Sequence, residues 1–487
     1  MANSILYLEQ RKNHAKPLPE RMLYHLSLDR AFLHICADVK KRERFLSVVS
    51  ALTDDKNEIL YRQEVLKDFE NNPILLEELI SLSARFEALR IAQKRAGKDE
   101  CLLNVTGTAS AAASKNILQS QALCLKRALI FIKAYGELLA KFNLKSRGLS
   151  NLYINCKGMC ENSDFAKLMT FCSKYENFST SGFWDFRFSL NSEGHIEDCA
   201  LIDHRYIHVT DPVLKRKSFS LFKKAGEIAY PCERLYPAKD GLLESLAISA
   251  LSDLSALLGE ISKQIFEEYG LIGRELVFYD VALRYIHALS EKKASVCYPT
   301  FSEEKSIRVK NLYDLHLLMA KPDLAAVTPN DFVLTRDNEG LLVFGNNSSG
   351  KTVYLRSIGT MQVLAQAGLP IPCESAEMVL FSQLATQFSE AEKEFCEGND
   401  AGRFEQEVRE LAAMVDTLEE GAFVFLNETF QSTAYAEGED GLYHLLKHFS
   451  ARNIRWILVS HLRQLAEMFD SNAVTVLHTA EGYKISK

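Results

Sequence analysis

The sequence predicts a multidomain fold, in which a mainly α-helical region with a small β insert precedes an α/β domain with a mostly parallel sheet. Three observations lead to this prediction. The chain has 487 residues, more than one hydrophobic core usually organises. Apolar residues recur at spacings of three and four through much of the chain before about Ser290. From about Asn311 onward, short apolar runs alternate with helical stretches.

The composition is that of an ordinary globular chain and gives no sign of a membrane span. Hydrophobic residues make up 47% and charged residues 25%, and the formal net charge is -7. Contact with nucleic acid would therefore need a local basic patch. The first residues do not resemble a signal peptide, and of the 11 scattered cysteines only Cys156 and Cys160 lie close together. We expect a cytoplasmic protein with reduced cysteines.

Three stretches in the first part of the chain have helical periodicity. They cover about residues 17–95, 115–142 and 239–290. Between the second and third, the period changes to two, and Phe186 and Phe188 alternate with polar residues. Because turn residues follow and the alternation then resumes, the pattern predicts a β-hairpin within residues 183–208.

The C-terminal part contains three short apolar runs that are typical of buried strands, at residues 341–344, 422–426 and 456–460. Runs of this kind separated by helices predict a parallel sheet covered on both faces. We therefore expect four segments: a helical segment (1–150), a β-containing insert (151–235), a second helical segment (236–310) and the α/β domain (311–487).

The strongest local signal is a phosphate loop. The pattern Gly-x-x-x-x-Gly-Lys-Ser/Thr lies between an apolar strand and a helix that leads out through Val353. Its residues are Gly345, Asn346, Asn347, Ser348, Ser349, Gly350, Lys351 and Thr352. Such a loop wraps an anion with backbone N–H groups at a helix N-terminus, so ATP with Mg²⁺ is the expected ligand. Lys351 would bridge the terminal phosphates and Thr352 would ligate the metal. The alternative is a Gly/Ser turn that binds nothing.

Two further candidate positions follow later strands. Asn427 and Glu428 end the second apolar run, where a carboxylate can polarise the water that attacks a γ-phosphate. Asn427 is neutral, but its amide oxygen can hold a metal-bound water. His461 follows the third run and could sense the γ-phosphate or orient the water. The alternatives are a strand-end capping acid for Glu428 and a satisfied polar residue for His461.

Taken together, these pieces resemble the ATPase domain of the MutS family of DNA mismatch-repair proteins. That family's loop runs Gly-Pro-Asn-x-Gly-Gly-Lys-Ser-Thr-Tyr-x-Arg, and the matching positions here are Asn347, Gly350, Lys351, Thr352, Tyr354 and Arg356. Asn330 lies in a segment similar to the one that the family places against the nucleotide. The stretches 364–372, 432–433 and 440–441 match further motifs, as does His461. The resemblance is good from about residue 298 to 469.

The resemblance implies that residues 1–150 form a helical core and lever, that residues 151–235 form a clamp-like insert, and that residues 236–310 form the returning lever. It also implies that the α/β domain is an ABC-type P-loop ATPase, which forms a homodimer with two composite ATP sites. It also implies DNA as the partner and an ATP-dependent conformational switch related to mismatch repair. Gly402-Arg403-Phe404 stands where the family has Ser-Thr-Phe, so we expect Gly402 or Arg403 to complete the partner's site. Asn427 replaces a metal-side Asp, which predicts slow hydrolysis. Val327 replaces an aromatic that stacks on adenine, and no mismatch-recognition domain is expected before the core.

The basic residues Lys215, Arg216 and Lys217 follow the predicted hairpin and could contact DNA phosphates. A solvated surface is the alternative for this run. An ATP-gated dimeric scaffold that acts on a protein partner, with little DNA affinity or turnover, is the alternative for the function. A small-molecule kinase fits less well, because the long helical region has no counterpart there.

Overall fold

The computed structural model describes residues 4–8, 16–106, 111–175, 182–190, 196–206, 241–304, 306–389, 400–430, 435–470 and 473–486. The chain divides into two compact units. One comprises residues 77–143 and 151–273, and the other comprises residues 2–76, 144–150 and 274–487. The boundaries of these units differ from those of the four predicted segments. The division into four segments remains a prediction.

Helices make up most of the first 300 residues, as the periodicity predicts. In chain order they are α1 (Glu20–His25), α2 (Leu28–Ile35), α3 (Val39–Val49), α4 (Lys56–Asn71), α5 (Pro73–Thr106), α6 (Ala111–Leu139), α7 (Arg147–Glu161), α8 (Ser163–Tyr175) and α9 (Gly241–Glu291). No helix in the described ranges is long and apolar enough to cross a membrane.

The first unit is built from long helices packed around aromatic side chains. Phe86 is fully buried, and its ring lies 5.8 Å from that of Phe131 and 5.0 Å from that of Phe266. The hydroxyl groups of Ser83 and Tyr135 lie 2.9 Å apart, so the buried tyrosine has a polar partner.

The same unit contains the predicted hairpin. Strands β3 (Gly182–Leu190) and β4 (Ile196–Tyr206) pair antiparallel, with irregular register after Asp185 and after Ser189. The prediction of a β-hairpin here is confirmed. The basic run Lys215 to Lys217 lies outside the described residues.

The second unit contains the α/β part of the chain. Its strands are β1 (Lys16–Pro17), β2 (Ala51–Leu52), β5 (Thr300–Phe301), β6 (Ile307–Leu312), β7 (Asn330–Leu334), β8 (Gly340–Phe344), β9 (Ser375–Met378), β10 (Leu384–Phe388), β11 (Phe423–Asn427), β12 (Arg455–Ser460), β13 (Val474–Thr479) and β14 (Ile485–Ser486). Its later helices are α10 (Leu315–Ala320), α11 (Lys351–Gln366), α12 (Asp400–Thr417) and α13 (Tyr435–Ala451).

Six of these strands form one sheet in the order β10-β11-β12-β8-β13-β14. All neighbouring pairs are parallel except β13 and β14, which pair antiparallel. On one face, Leu342, Val424 and Leu458 pack in a cluster with residues of α12 and α13. The alternate residues of the same strands, such as Val343 and Phe425, are also buried. The parallel sheet covered on both faces is therefore confirmed.

Two central strands of the sheet approach each other so closely that one position requires glycine. Gly340 begins β8 and is in register with Trp456 of β12. A Cβ atom at position 340 would lie 2.2 Å from the indole Cδ2, so only glycine fits beside this ring. The indole is fully buried, and its Nε1 donates to Ser450 Oγ at 3.2 Å. This pair anchors the strand that leads into the glycine-rich loop.

Candidate active site

The glycine-rich loop lies between the buried strand β8 and the N-terminus of α11, as its motif predicts. Gly350 is the residue before the helix and has a φ of 94°, and Ser348 has a φ of 59°. Asn346, Asn347 and Ser348 are exposed, whereas Val353 in the first turn of α11 is partly buried. Because glycine adopts this left-handed backbone without penalty, Gly350 lets the chain turn into the helix and open its N-terminus to a ligand.

Lys351 is folded back over its own loop. Its side chain is only 4% exposed, and its Nζ donates to the carbonyl oxygens of Gly345 and Asn346, each at 2.9 Å. Burial lowers the pKa of Lys351, and the carboxylate of Glu428, with Oε1 3.9 Å from Nζ, opposes that change. The loop therefore holds a buried ammonium group through two carbonyl oxygens, and phosphate oxygens can take the place of these acceptors.

Thr352 and Asn427 meet across the loop and the neighbouring strand. The Thr352 hydroxyl donates to Asn427 Oδ1 at 2.9 Å, and Asn427 is the last residue of β11. Hydroxyl and amide oxygens are hard, neutral ligands of the kind that Mg²⁺ accepts beside phosphate oxygens and water. These two side chains fit a magnesium ion, although they contribute no negative charge.

Glu428 and His461 lie side by side at the carboxyl ends of two adjacent strands. Glu428 Oε1 is 3.0 Å from His461 Nε2, and the two side chains are 23% and 27% exposed. The Glu428 backbone N–H donates to Val459 O at 2.8 Å, and this bond ties the turn after β11 to β12. Lys351, Glu428 and His461, which are far apart in sequence, thus form one partly exposed cluster.

Asn330 fixes the C-terminal segment beside the loop. Its Nδ2 donates to Tyr483 O at 3.1 Å and its Oδ1 accepts from Ile485 N–H at 2.9 Å. Lys484 Nζ donates to Pro329 O at 2.5 Å. These bonds hold Tyr483, which has a φ of 64° and is 62% exposed. Its ring Cδ1 lies 3.4 Å from where a Cβ atom of Gly350 would be.

Tyr483 has no counterpart among the sequence-predicted site residues. Val327, the predicted neighbour of the base, is only 4% exposed and offers no accessible face. The signal that points to Tyr483 is an aromatic residue within a short polar segment, Glu481 to Lys484, after the apolar strand β13. Its proximity to the loop depends on contacts more than 130 residues apart, which a local pattern does not contain.

A second group of polar residues that the sequence analysis did not identify lies behind Glu428. Glu407 of α12 accepts hydrogen bonds from Phe430 N–H, Gln387 Nε2 and Ser389 Oγ, at 3.0, 3.2 and 3.4 Å. Helix α12 also carries Gly402 and Arg403 near its start. The side chain of Arg403 lies outside the described part of the chain, so its predicted role remains a prediction.

The fold and the site together define an α/β protein with a glycine-rich loop between strand and helix. Residues 341–483 match the family model MutS domain V. Over 237 residues the chain is 26% identical to the DNA mismatch repair protein MutS of Lactobacillus delbrueckii subsp. bulgaricus, covering 48% of this chain and 26% of the relative. It is also 26% identical over 220 residues to Endonuclease MutS2 of Clostridioides difficile, covering 44% of this chain and 26% of that protein.

A third relative is the DNA mismatch repair protein MutS of Streptococcus sanguinis. It is 24% identical over 278 residues, which cover 55% of this chain and 32% of the relative. The chain thus spans between about a quarter and a third of the length of these three relatives. The family model and these relatives support a MutS-family protein.

Proposed function

We propose that the protein is an ATP hydrolase that works as an ATP-dependent conformational switch on DNA. The observation that carries this proposal is the meeting of Lys351, Glu428 and His461 at the mouth of the glycine-rich loop. A cation, a carboxylate and an imidazole at a helix N-terminus are the groups that binding and hydrolysis of a nucleoside triphosphate require.

The phosphate chain would lie against the backbone N–H groups of the loop. Lys351 Nζ would exchange the carbonyl oxygens of Gly345 and Asn346 for oxygens of the terminal phosphates. Thr352 and Asn427 would hold Mg²⁺, which neutralises charge on the phosphates when it is bound. The ring of Tyr483, exposed beside Gly350, would offer a face to the base.

Glu428 would accept a proton from the attacking water, and His461 would hold the Glu428 carboxylate toward that water. Asn427 supplies no charge on the metal side, so we expect slow turnover. The resulting switch would keep ATP bound for a long time before hydrolysing it. Such a switch works through the difference in affinity between its two conformations.

Two further parts of the proposal depend on family membership. A homodimer would join each loop to the Gly402–Phe404 segment of a second copy. DNA would contact the basic run at Lys215, Arg216 and Lys217. The names of two relatives, which include DNA mismatch repair, support this choice of partner.

The test is ATPase activity, with and without duplex or branched DNA, for the parent and for Glu428→Gln. We expect the parent to hydrolyse ATP and the variant to bind it without turnover. A parent that binds no ATP would refute the proposal. Measuring DNA affinity against salt concentration, with Lys215 and Lys217 changed to Ala, tests the partner, because each lost phosphate contact lowers the salt slope by about 0.9.

A second candidate is an ATP-gated scaffold that acts on a protein, which the net charge of -7 favours. It predicts ATP binding with no salt-dependent DNA affinity. The same salt titration therefore separates the two functions.

A further inference from the structure

The backbone that carries Glu428 has an unusual shape. Glu428 has a φ of 55° and Phe430 has a φ of 63°, so two residues with side chains lie in the left-handed region within three positions. Such conformations cost free energy and persist only where surrounding contacts over-determine them. Because the Glu428 side chain projects from this turn, whatever fixes the turn also sets the direction of the carboxylate.

Two side chains of other elements hold the turn, in addition to the backbone bond from Glu428 N–H to Val459 O. Glu407 Oε1 accepts from Phe430 N–H at 3.0 Å, and Gln387 Oε1 accepts from the Thr429 hydroxyl at 2.5 Å. Gln387 Nε2 in turn donates to Glu407 Oε1 at 3.2 Å, which joins the two contacts. Thr429 and Gln387 are 1% and 5% exposed, so water does not compete for these bonds.

Glu407 is the charged member of this network. One of its oxygens accepts three hydrogen bonds, from a backbone N–H, an amide and the Ser389 hydroxyl. Hydrogen bonds to an ionised acceptor are shorter and stronger than those between neutral groups. Removing the carboxylate would leave the Phe430 N–H without its acceptor and would allow the turn to relax.

We propose that Glu407 is a positioning residue, which holds the turn after β11 so that the Glu428 carboxylate faces the attacking water. Glu407 acts through Phe430 and Gln387, and Glu428 takes the proton. The inference rests on the proposed hydrolysis and adds the residue that orients its base. Glu407 lies on α12, five residues after Gly402, which is about 7.5 Å along a helix axis. The positioning residue and the predicted partner contact therefore lie on one helix.

The experiment compares Glu407→Ala and Glu407→Gln with the parent, by single-turnover ATP hydrolysis and by ATP affinity from calorimetry. In Glu407→Ala we expect kcat to fall about 100-fold, within the range of contributions measured for an oriented general base. ATP affinity should stay within about twofold, because the loop makes its bonds without Glu407. Glu407→Gln keeps an amide oxygen for the Phe430 N–H and should lose only about tenfold in kcat.

Glu405→Ala is the matched control. Glu405 lies on the same helix, is exposed and pairs with Arg409 one turn later, so the variant should keep the parent kcat. A kcat of Glu407→Gln equal to that of the parent would overturn the positioning role. An equal loss of kcat and ATP affinity in Glu407→Ala would also overturn it. If Glu407→Ala does not fold, the isosteric Glu407→Gln decides the question by itself.

The two proposals fail in different ways. A parent that does not hydrolyse ATP, or Glu428→Gln at the parent rate, overturns the proposed function together with the inference. An active parent and an inactive Glu428→Gln, combined with Glu407→Gln at the parent rate, overturn the inference alone.

Discussion

The glycine-rich loop and the turn after β11 both line the candidate site, but they are stabilised in different ways. The loop contains its own hydrogen-bond partners, because Lys351 Nζ donates to carbonyl oxygens five and six residues earlier. The turn relies on Glu407 and Gln387, which lie 23 and 42 residues from the groups they hold. The loop is therefore a local structure, whereas the direction of Glu428 is a product of tertiary packing.

This difference predicts a division of effects between the two regions. Changes in the loop should weaken ATP binding, whereas changes in or behind the turn should slow hydrolysis and leave binding intact.

Glu428→Gln should lower kcat about 1,000-fold, because an amide cannot accept the proton of the attacking water. ATP affinity should stay near the parent value, because Lys351 Nζ bonds to the loop carbonyl oxygens at 2.9 Å and lies 3.9 Å from Glu428 Oε1. Single-turnover hydrolysis and calorimetry measure the two quantities. Glu420→Gln is the control, because Glu420 precedes the same strand at its other end and bonds to Asn453. If Glu428→Gln weakens ATP binding as strongly as it lowers kcat, the two regions do not divide binding from hydrolysis.

Lys351→Ala should weaken ATP binding about 100-fold, because two charge-assisted bonds to phosphate oxygens are lost. Calorimetric titration with a non-hydrolysable ATP analogue measures the change. Lys447→Ala removes an exposed lysine of the same unit, one that pairs with Glu339, and should bind like the parent. If the ATP affinity of Lys351→Ala were unchanged, the loop would not be part of the ATP-binding site.

Asn427→Asp should lower the Mg²⁺ concentration needed for half-maximal hydrolysis about tenfold, which corresponds to ~1.4 kcal/mol. The reason is that a carboxylate replaces the amide oxygen now bonded to Thr352. A titration of activity against Mg²⁺ tests it. Asn162→Asp adds the same charge before α8, where Asn162 Oδ1 already accepts from Asp164 N–H, and should not shift the titration. An unshifted midpoint in Asn427→Asp would argue against a metal at this position.

Tyr483→Ala should weaken ATP binding about fivefold, near the lower limit for stacking of a base on an aromatic ring. Tripolyphosphate, which has no base, should bind Tyr483→Ala and the parent equally. Tyr483→Phe keeps the ring and should keep the ATP affinity. If tripolyphosphate binding falls as much as ATP binding, Tyr483 covers the phosphates and not the base.

The same contrast explains what the sequence could predict. The glycine-rich loop, the central strands and the hairpin are local patterns, and the structure has them where periodicity and motif predict them. Glu428 and His461 could be identified because strand ends of a parallel sheet share one edge. Glu407 could not, because it is one acid among several on an amphipathic helix. Only the packing of α12 against the turn distinguishes it from the exposed Glu405.

Trp456 provides an intrinsic spectroscopic reporter of the sheet that carries the loop. The chain has two tryptophans, so replacing Trp184 with phenylalanine leaves a single indole. That indole is enclosed beside Gly340, away from water. Its emission should lie at short wavelength and shift to the red once β8 and β12 separate. Following this shift during denaturation would show whether nucleotide delays the opening of that strand pair.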